Sequence, residues 1–530
     1  MKVPLTPIRF LRRAESQFGD KTGVIDGFRQ WTYHQYADRC RKLANLLLSW
    51  ELPKSSTVAF LSYNTYPLLE AYYGVLLAGG VLLPLNIRLS AEDVRFILND
   101  SGAECLFFHR DFADLLEEIR GELTTVRRFV VLDQGLEASW IEPGTYGELL
   151  QAQPRGLEQD VMEIDEDSVA EIFYTSGTTG HPKGVMLTHR NLYLHALESG
   201  LLLQGNDADV HLHTIPLFHV NGWGTPQLLA CLGSTQVMLE KFDARGVLEE
   251  IQQRGVTTFP LVPTMATTLL HYPHLESFDV SSVRRITLGG SAANPRLVSE
   301  LEEAFDCECF SGYGLTETSP VLTLSVLKDH LQLEGNERLT TQAMAGYPIP
   351  GVELKVVDDQ DHELSWDGAS AGEIIVRGNG VMEGYWKRPA ETAEAMRSGW
   401  FHTGDIGTVD PNGYVQIVDR KKDLIISGGE NISSIEVEKI VLGHSAVMEC
   451  AVIPVPDSKW GEAPKALVVL KPGRSASQEE ILNHCRSRLA GFKLPKSVEF
   501  FDSLPKGGTG KILKRELRNR CWQRQSRKVQ

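Results

Sequence analysis

From about residue 20 to residue 330, short apolar or β-branched runs alternate with longer amphipathic segments. The runs include Val58-Ala59-Phe60-Leu61, Phe129-Val130-Val131-Leu132, Ile172-Phe173-Tyr174, Val237-Met238-Leu239 and Ile286-Thr287-Leu288. A strand without polar alternation has no face to give to water. These runs therefore predict a mostly parallel sheet covered by helices on both sides. The segments between them, such as 91–98 and 297–305, carry apolar residues at helical spacing.

From about 345 to 420 the texture changes. Val352-Glu353-Leu354-Lys355-Val356-Val357, Glu373-Ile374-Ile375-Val376 and Tyr414-Val415-Gln416-Ile417-Val418 read as short strands, with turn signals at Asp367-Gly368 and Asn412-Gly413. This predicts a small β-rich or barrel-like section. The charge run Asp419-Arg420-Lys421-Lys422-Asp423 follows, and the main boundary is placed there. Beyond it, strands at 450–455 and 466–470 flank helices. Ser477 with Glu480 makes a capping box ahead of Ile481, Leu482, Cys485 and Leu489 on one helical face. The expected fold is α/β. A large N-terminal domain (1–419) has α/β subdomains to about 335 and a β-rich section over 345–419. Residues 420–423 form a hinge, and 424–530 a smaller α+β C-terminal domain.

Composition narrows the field. Of 530 residues, 42% are apolar and 23% charged, which suits a globular chain and excludes disorder, collagen and coiled-coil rods for most of it. With 53 Lys+Arg against 69 Asp+Glu the formal net charge is -16, so nucleic acid is a poor partner, whereas a small anion in a local basic pocket is not. The eight cysteines are scattered without a CxxC pair, and Cys307 and Cys309 are too close for an ordinary bridge or a zinc knuckle. They read as reduced, mostly core thiols of a cytoplasmic protein. Residues 1–13 lack a signal-peptide apolar stretch. The most apolar window, 71–85, contains Gly74, Gly79, Gly80 and Pro84 and falls short of the ~18–20 residues that span a bilayer.

The strongest local signal is Tyr174-Thr175-Ser176-Gly177-Thr178-Thr179-Gly180-His181-Pro182-Lys183-Gly184. A predicted strand runs into hydroxyls and glycines, with a lysine behind them. Glycines let the backbone approach an anion, consecutive N–H groups make a nest for it, and Lys183 adds charge. It is not a P-loop, because Gly184 rather than Ser or Thr follows the lysine. Gly378-Asn379-Gly380-Val381-Met382-Glu383-Gly384 has the wrong spacing for a dinucleotide fingerprint.

That ordered string, with further motifs along nearly the whole chain, resembles the AMP-forming acyl-adenylate superfamily of acyl-CoA synthetases, luciferases and peptide-synthetase adenylation domains. The resemblance implies ATP, Mg²⁺ and coenzyme A as cofactor and co-substrates. It assigns the phosphates to Thr175, Ser176, Gly177, Thr178, Thr179, Gly180 and Lys183. Gly312-Tyr313-Gly314-Leu315-Thr316-Glu317-Thr318 looks like the adenine and magnesium motif, with Tyr313 stacked on adenine and Thr316 and Glu317 serving phosphates and metal. Gly289-Gly290-Ser291-Ala292-Ala293 looks like the adenine-side loop. In His402-Thr403-Gly404-Asp405 the aspartate would bind the ribose hydroxyls, with Ile417 and Arg420 beside the nucleotide. Lys422 would be the hinge of a mobile C-terminal domain, and Lys511, in Lys506-Gly507-Gly508-Thr509-Gly510-Lys511, the catalytic lysine. Ser427, Gly428, Gly429, Glu430 and Asn431, with Trp460, would shape the CoA tunnel. Many relatives carry a lysine where this chain has Ile426, so no role of that lysine transfers.

Pro216-Leu217-Phe218-His219-Val220-Asn221-Gly222-Trp223 resembles the acyl-pocket segment, so His219, Asn221, Trp223, Gly290 and Gly314 would face the acid. A large indole in that tunnel would shorten it. The expected substrate is therefore a short- or medium-chain or aryl acid. Two acceptors stay open, CoA and a carrier-protein thiol. An inactive nucleotide-binding regulator is a further alternative, as is a luciferase-like oxygenase. Homodimers are common in that family, and no residue singled out here demonstrates one.

Overall fold

The computed structural model describes residues 2–136, 138–157, 163–175, 182–427, 430–457, 459–506 and 512–526. The chain packs into two compact units. The first comprises Met1–Gln342, Tyr347–Glu353 and Arg377–Phe401; the second comprises Ala343–Gly346, Leu354–Val376 and His402–Gln530.

Two sheets build the first unit. A seven-stranded sheet runs in the order Gly384–Tyr385, Lys183–Thr188, Val169–Thr175, Val81–Pro84, Thr57–Leu61, Cys105–Phe108, Arg128–Val131. Its last five strands are parallel, and the first two run antiparallel to their neighbours. The nine-stranded sheet has a parallel centre, with Thr258–Leu261 beside Arg285–Leu288 and Arg285–Leu288 beside Glu308–Gly314. The apolar runs read from the sequence fall in strands of these two sheets: Thr57–Leu61 and Thr235–Met238 are buried on both faces, Arg285–Leu288 on alternate residues, and Arg128–Val131 is the edge strand of its sheet.

The most apolar window is inside the protein. It spans the end of helix Tyr66–Leu77, which is buried all round, and the buried strand Val81–Pro84. Gly74 lets this helix lie against helix Tyr33–Ser49, because a Cβ at Gly74 would fall 2.7 Å from Leu43 Cδ2. Among the described residues no helix is long and apolar enough to cross a membrane.

The second unit holds most of a four-stranded sheet, Val352–Val357, Gly372–Gly378, Phe401–Val409 and Val415–Arg420. It also holds the sheet of Glu430–Ile432, Ile425–Ser427, Gly461–Leu470, Val447–Asp457 and Ser497–Phe500. Residues 354–376 and 402–419 of the β-rich section thus group with the C-terminal part, and 347–353 and 377–401 with the first unit. The joining contacts are visible. Ser433 Oγ donates to Val418 O, and the Ser434 N–H donates to Asp419 Oδ2, so helix Ser434–Leu442 starts on the end of strand Val415–Arg420. The capping box at Ser477 and Glu480 forms as expected, but its helix is Gln478–Arg486 and Leu489 lies beyond it.

Candidate active site

In the first unit the glycine- and hydroxyl-rich segment joins two antiparallel strands, Val169–Thr175 and Lys183–Thr188, with Thr175 opposite Lys183. Ser176, Gly177, Thr178, Thr179 and Gly180 lie outside the described residues. Lys183 Nζ stands 2.5 Å from Glu391 Oε2 and 5.2 Å from the centre of the Tyr385 ring. The Tyr385 hydroxyl donates to Glu317 Oε1 at 3.0 Å. Burial, with Glu317 beside it, pushes the Tyr385 phenol well above its ordinary value, so it stays a neutral donor. Backbone bonds fix the cluster. Met382 N–H donates to Glu317 O at 2.8 Å and Trp386 N–H to Gly184 O at 2.7 Å. Lys183 and Glu317, far apart in the chain, are thereby brought together, with Thr316 buried beside Glu317 in the turn Thr316–Thr318.

Gly289 and Gly312 follow register partners in parallel strands, Leu288 and Ser311, so both motifs emerge at one carboxyl edge of the sheet. Ligands of open parallel sheets bind at that edge. A Cβ at Gly314 would lie 1.8 Å from Pro320 O, so only glycine fits. Tyr313 is half-buried, while Gly290, Ser291 and Ala292 are exposed.

The acyl-side motif reaches the same place. Val220, Asn221, Gly222, Trp223 and Gly224 have φ of 42°, 40°, 54°, 67° and 80°, a left-handed turn inside helix Val220–Leu232. Left-handed backbone costs about 1–2 kcal/mol per non-glycine residue. The turn carries Trp223 onto Gly289, where a Cβ would lie 2.7 Å from the indole. His219, half-buried, is the residue before this helix.

In the second unit, strand pairing sets Asp405 opposite Arg420, with Arg420 Nε 3.4 Å from Asp405 Oδ1. Ile417 sits nearby in register with Gly407. Lys422 is exposed; its carbonyl accepts from Arg518 Nη1 at 2.8 Å, and Arg518 also pairs with Asp423 at 3.1 Å. Ser427 pairs with Glu430, and Ile426 with Asn431, in a hairpin whose tip residues Gly428 and Gly429 lie outside the described residues. Ser427 also pairs with Gly461, which puts the exposed Trp460 beside the hairpin. Lys511 lies outside the described residues.

The AMP-binding enzyme family matches residues 11–386, and the AMP-binding enzyme C-terminal domain matches residues 436–511. The chain belongs to the AMP-binding enzyme family. Among its relatives, a long-chain-fatty-acid–CoA ligase of Thermus thermophilus is 38% identical over 96% of this chain and 94% of its own. A peroxisomal butyrate–CoA ligase of Arabidopsis thaliana is 36% identical over 98% and 93%. The solved structure of an anthranilate–CoA ligase in complex with anthranoyl-AMP superposes with a TM-score of 0.90 at 27% identity, covering 98% of each chain.

For an AMP-binding enzyme, the donor set around Glu317 fits magnesium. A single carboxylate beside a buried hydroxyl offers hard oxygen ligands, and Mg²⁺ is usually held by one or two carboxylates plus substrate phosphates. Tyr385 and Glu391 were not legible in the sequence of this AMP-binding enzyme. The nearest signal was the short Gly384-Tyr385-Trp386 string, and only its pairing with strand Lys183–Thr188 gives it meaning. Glu171 and Gln227 were likewise missed. Glu171 is fully buried, accepting from Asn221 Nδ2 at 3.1 Å and Gln227 Nε2 at 2.8 Å, and burial pushes its carboxyl up to about 8.

Proposed function

We propose that the protein is an ATP-dependent, AMP-forming carboxylic acid–CoA ligase acting on short- or medium-chain or aryl acids. The carrying observation is likeness along almost the whole chain, with both AMP-binding domains, to ligases that join acids to CoA. The site supports it. A lysine that follows a hydroxyl- and glycine-rich segment suits phosphates, and Asp405 offers two acceptor oxygens to a ribose.

The reaction has two steps. The acid's carboxylate attacks the α-phosphorus of ATP, forming acyl-AMP and releasing pyrophosphate. The CoA thiol, losing its proton, then attacks the acyl carbon and releases AMP. The carboxylate is already ionised, so the first step needs no general base, and His219 acts as a lining ring. In this reading Thr175, Ser176, Gly177, Thr178, Thr179, Gly180 and Lys183 hold the phosphates, and Tyr313 stacks on adenine beside Gly290, Ser291, Ala292 and Gly312. Asp405, Ile417 and Arg420 hold the ribose side. Magnesium, held through Thr316 and Glu317, supplies neutralisation of phosphate charge. In this reading Lys511 offsets the repulsion of the two reacting anions and stabilises charge at phosphorus. Rotation at Lys422 exchanges Lys511 for the hairpin of Ser427, Gly428, Gly429, Glu430 and Asn431 beside Trp460, which guides the pantetheine.

The acid class rests on Trp223. Its indole lies against Gly289 and near Gly290, where it would shorten an acyl tunnel; the Arabidopsis relatives named for butyrate and benzoate agree with a short pocket, whereas the Thermus relative is named for long-chain acids. Pyrophosphate release with MgATP across a panel of acids, with and without CoA, tests the whole reading. Release stimulated by CoA, with AMP and a short or aryl acyl-CoA as products, is expected. A preference for palmitate overturns the acid class, and release without CoA turnover moves the acceptor to a carrier-protein thiol.

A further inference from the structure

Glu171 is a carboxyl group that the two-step reaction does not use. It sits in strand Val169–Thr175, opposite Leu187 and Leu82, just ahead of the glycine- and hydroxyl-rich segment. Among the described residues it accepts from two amides, lies within electrostatic reach of the Tyr72 and Tyr73 phenols, and meets no cation. Ordinary packing would put an apolar side chain here, as at the neighbouring buried Ala170, Ile172 and Phe173.

What Glu171 holds is the strained turn. Asn221 Oδ1 accepts from Gly224 N–H at 2.7 Å, closing the left-handed segment 220–224 on itself. That bond fixes which way the amide faces, so Asn221 Nδ2 must donate outward, and the group it meets is Glu171 Oε2. A second brace comes from the other side: Thr225 Oγ1 donates to Gly222 O at 2.9 Å and sits 3.3 Å from His213 Nδ1. Between these braces the turn carries Trp223 onto Gly289 and, at 3.8 Å from a Cβ position, Gly290. Left-handed backbone at a valine, an asparagine and a tryptophan persists only where surrounding contacts over-determine it.

We propose that Glu171 is a positioning residue for the acid substrate: through Asn221 it locks the turn 220–224 and so fixes the Trp223 indole that closes the acyl pocket. This rests on the acyl-pocket reading of Trp223 given above. The lock works as a neutral acid. Gln227 Oε1 is buried without a hydrogen-bond partner among the described residues. If the Gln227 amide turns over, a Glu171 O–H donates to that oxygen, while the other Glu171 oxygen still accepts from Asn221. A glutamine at 171 makes the same two bonds, accepting from Asn221 and donating to Gln227. A leucine makes neither.

The test is a KM and kcat series over straight-chain acids from acetate to dodecanoate, at saturating CoA and with KM for ATP measured alongside. It compares the wild type with Glu171→Gln, Glu171→Leu and Trp223→Ala. Glu171→Gln should keep the wild-type profile. Glu171→Leu should follow Trp223→Ala, with KM for the preferred acid raised about tenfold, longer acids gained, and KM for ATP unmoved. A profile moved by Trp223→Ala but untouched in folded Glu171→Leu overturns the role of Glu171 alone. Glu171→Gln behaving as Glu171→Leu overturns the neutral lock. A profile unmoved by Trp223→Ala overturns the pocket reading and the proposal with it. If Glu171→Leu does not fold, Glu171→Ala, which removes both of its bonds and leaves the Asn221–Gly224 bond in place, carries the same expectation.

Discussion

A carboxyl group with amides for neighbours and no cation keeps its proton far above its ordinary range, and the folded protein is penalised for it in alkali. Glu171 binds a proton in the folded state up to about pH 8, whereas the unfolded chain releases it near 4.5. Its contribution to stability is complete below the unfolded value and is lost as pH rises through the folded one, at most about 1.4 kcal/mol per pH unit. Glu171→Gln has no proton to lose. Its melting temperature relative to the wild type should therefore climb steadily from pH 5 to pH 8, and a pH-independent difference would rule out a neutral Glu171. Tyr385 presents a simpler case. Its hydroxyl bonds to the Glu317 carboxylate, and such charge-assisted bonds contribute about 1.5–3 kcal/mol. Tyr385→Phe should lower kcat/KM for MgATP by roughly ten- to a hundredfold while leaving KM for the acid alone, as initial rates at varied MgATP would show. Lys511→Ala should cost the adenylation step on the order of a hundredfold or more yet still turn supplied acyl-AMP into thioester. Equal loss in both half-reactions removes Lys511 from its role. The contrast in legibility is physical. Thr175, Lys183, Glu317, Asp405 and Lys511 stand in short strings whose chemistry is local. Tyr385, Glu391, Glu171 and Gln227 acquire meaning only from partners that strand pairing brings from distant parts of the chain.

Among elements, the parallel strands and their covering helices were readable because continuous apolar runs and helical spacing are properties of the segment itself. The end of helix Gln478–Arg486 was not, because Leu489 keeps the apolar spacing and packs against the same core after the helix has stopped. The glycine-rich segment also gave its chemistry more readily than its setting, since nothing in its composition says that it joins two antiparallel strands. The segment 419–423 is held at both ends, by Asp419 at the start of helix Ser434–Leu442 and by Arg518 at Lys422 and Asp423. A hinge there must turn about bonds between those anchors. Proline at 422 locks φ and removes a donor. Lys422→Pro should leave pyrophosphate release from the acid intact and slow conversion of acyl-AMP to acyl-CoA in single-turnover assays. If both steps keep their rates, the hinge lies elsewhere.

At the scale of the molecule, composition set the class and the net charge, and the absence of paired cysteine motifs pointed to free thiols. All eight cysteines are free, and Cys40, Cys105, Cys309, Cys450, Cys485 and Cys521 are buried. Burial pushes Cys105 up to about 12, and Cys40 and Cys450 also rise well above the ordinary thiol value. Thiolate is the reactive form, so titration of the native enzyme with a thiol reagent should detect Cys231 and Cys307 at most, and all eight after denaturation. Rapid reaction of a further thiol would mean that one of the buried six opens readily. How the β-rich section divides between the two units was not readable, because strands such as Val415–Arg420 carry no mark of the neighbour they will pack against. For that strand the bonds of Ser433 and Ser434 decide it.

Lys183 does not wait as a bare cation. Its ammonium has Glu391 as counter-ion. Under the proposed reading of Lys183 as a phosphate ligand, phosphate would compete with that carboxylate, and the nucleotide would gain the difference between two anions rather than the full attraction of one. As pyrophosphate left, the carboxylate would be at hand to take the lysine back. Such a site would give up some grip on its nucleotide and in return let go of its product before the thiol arrives.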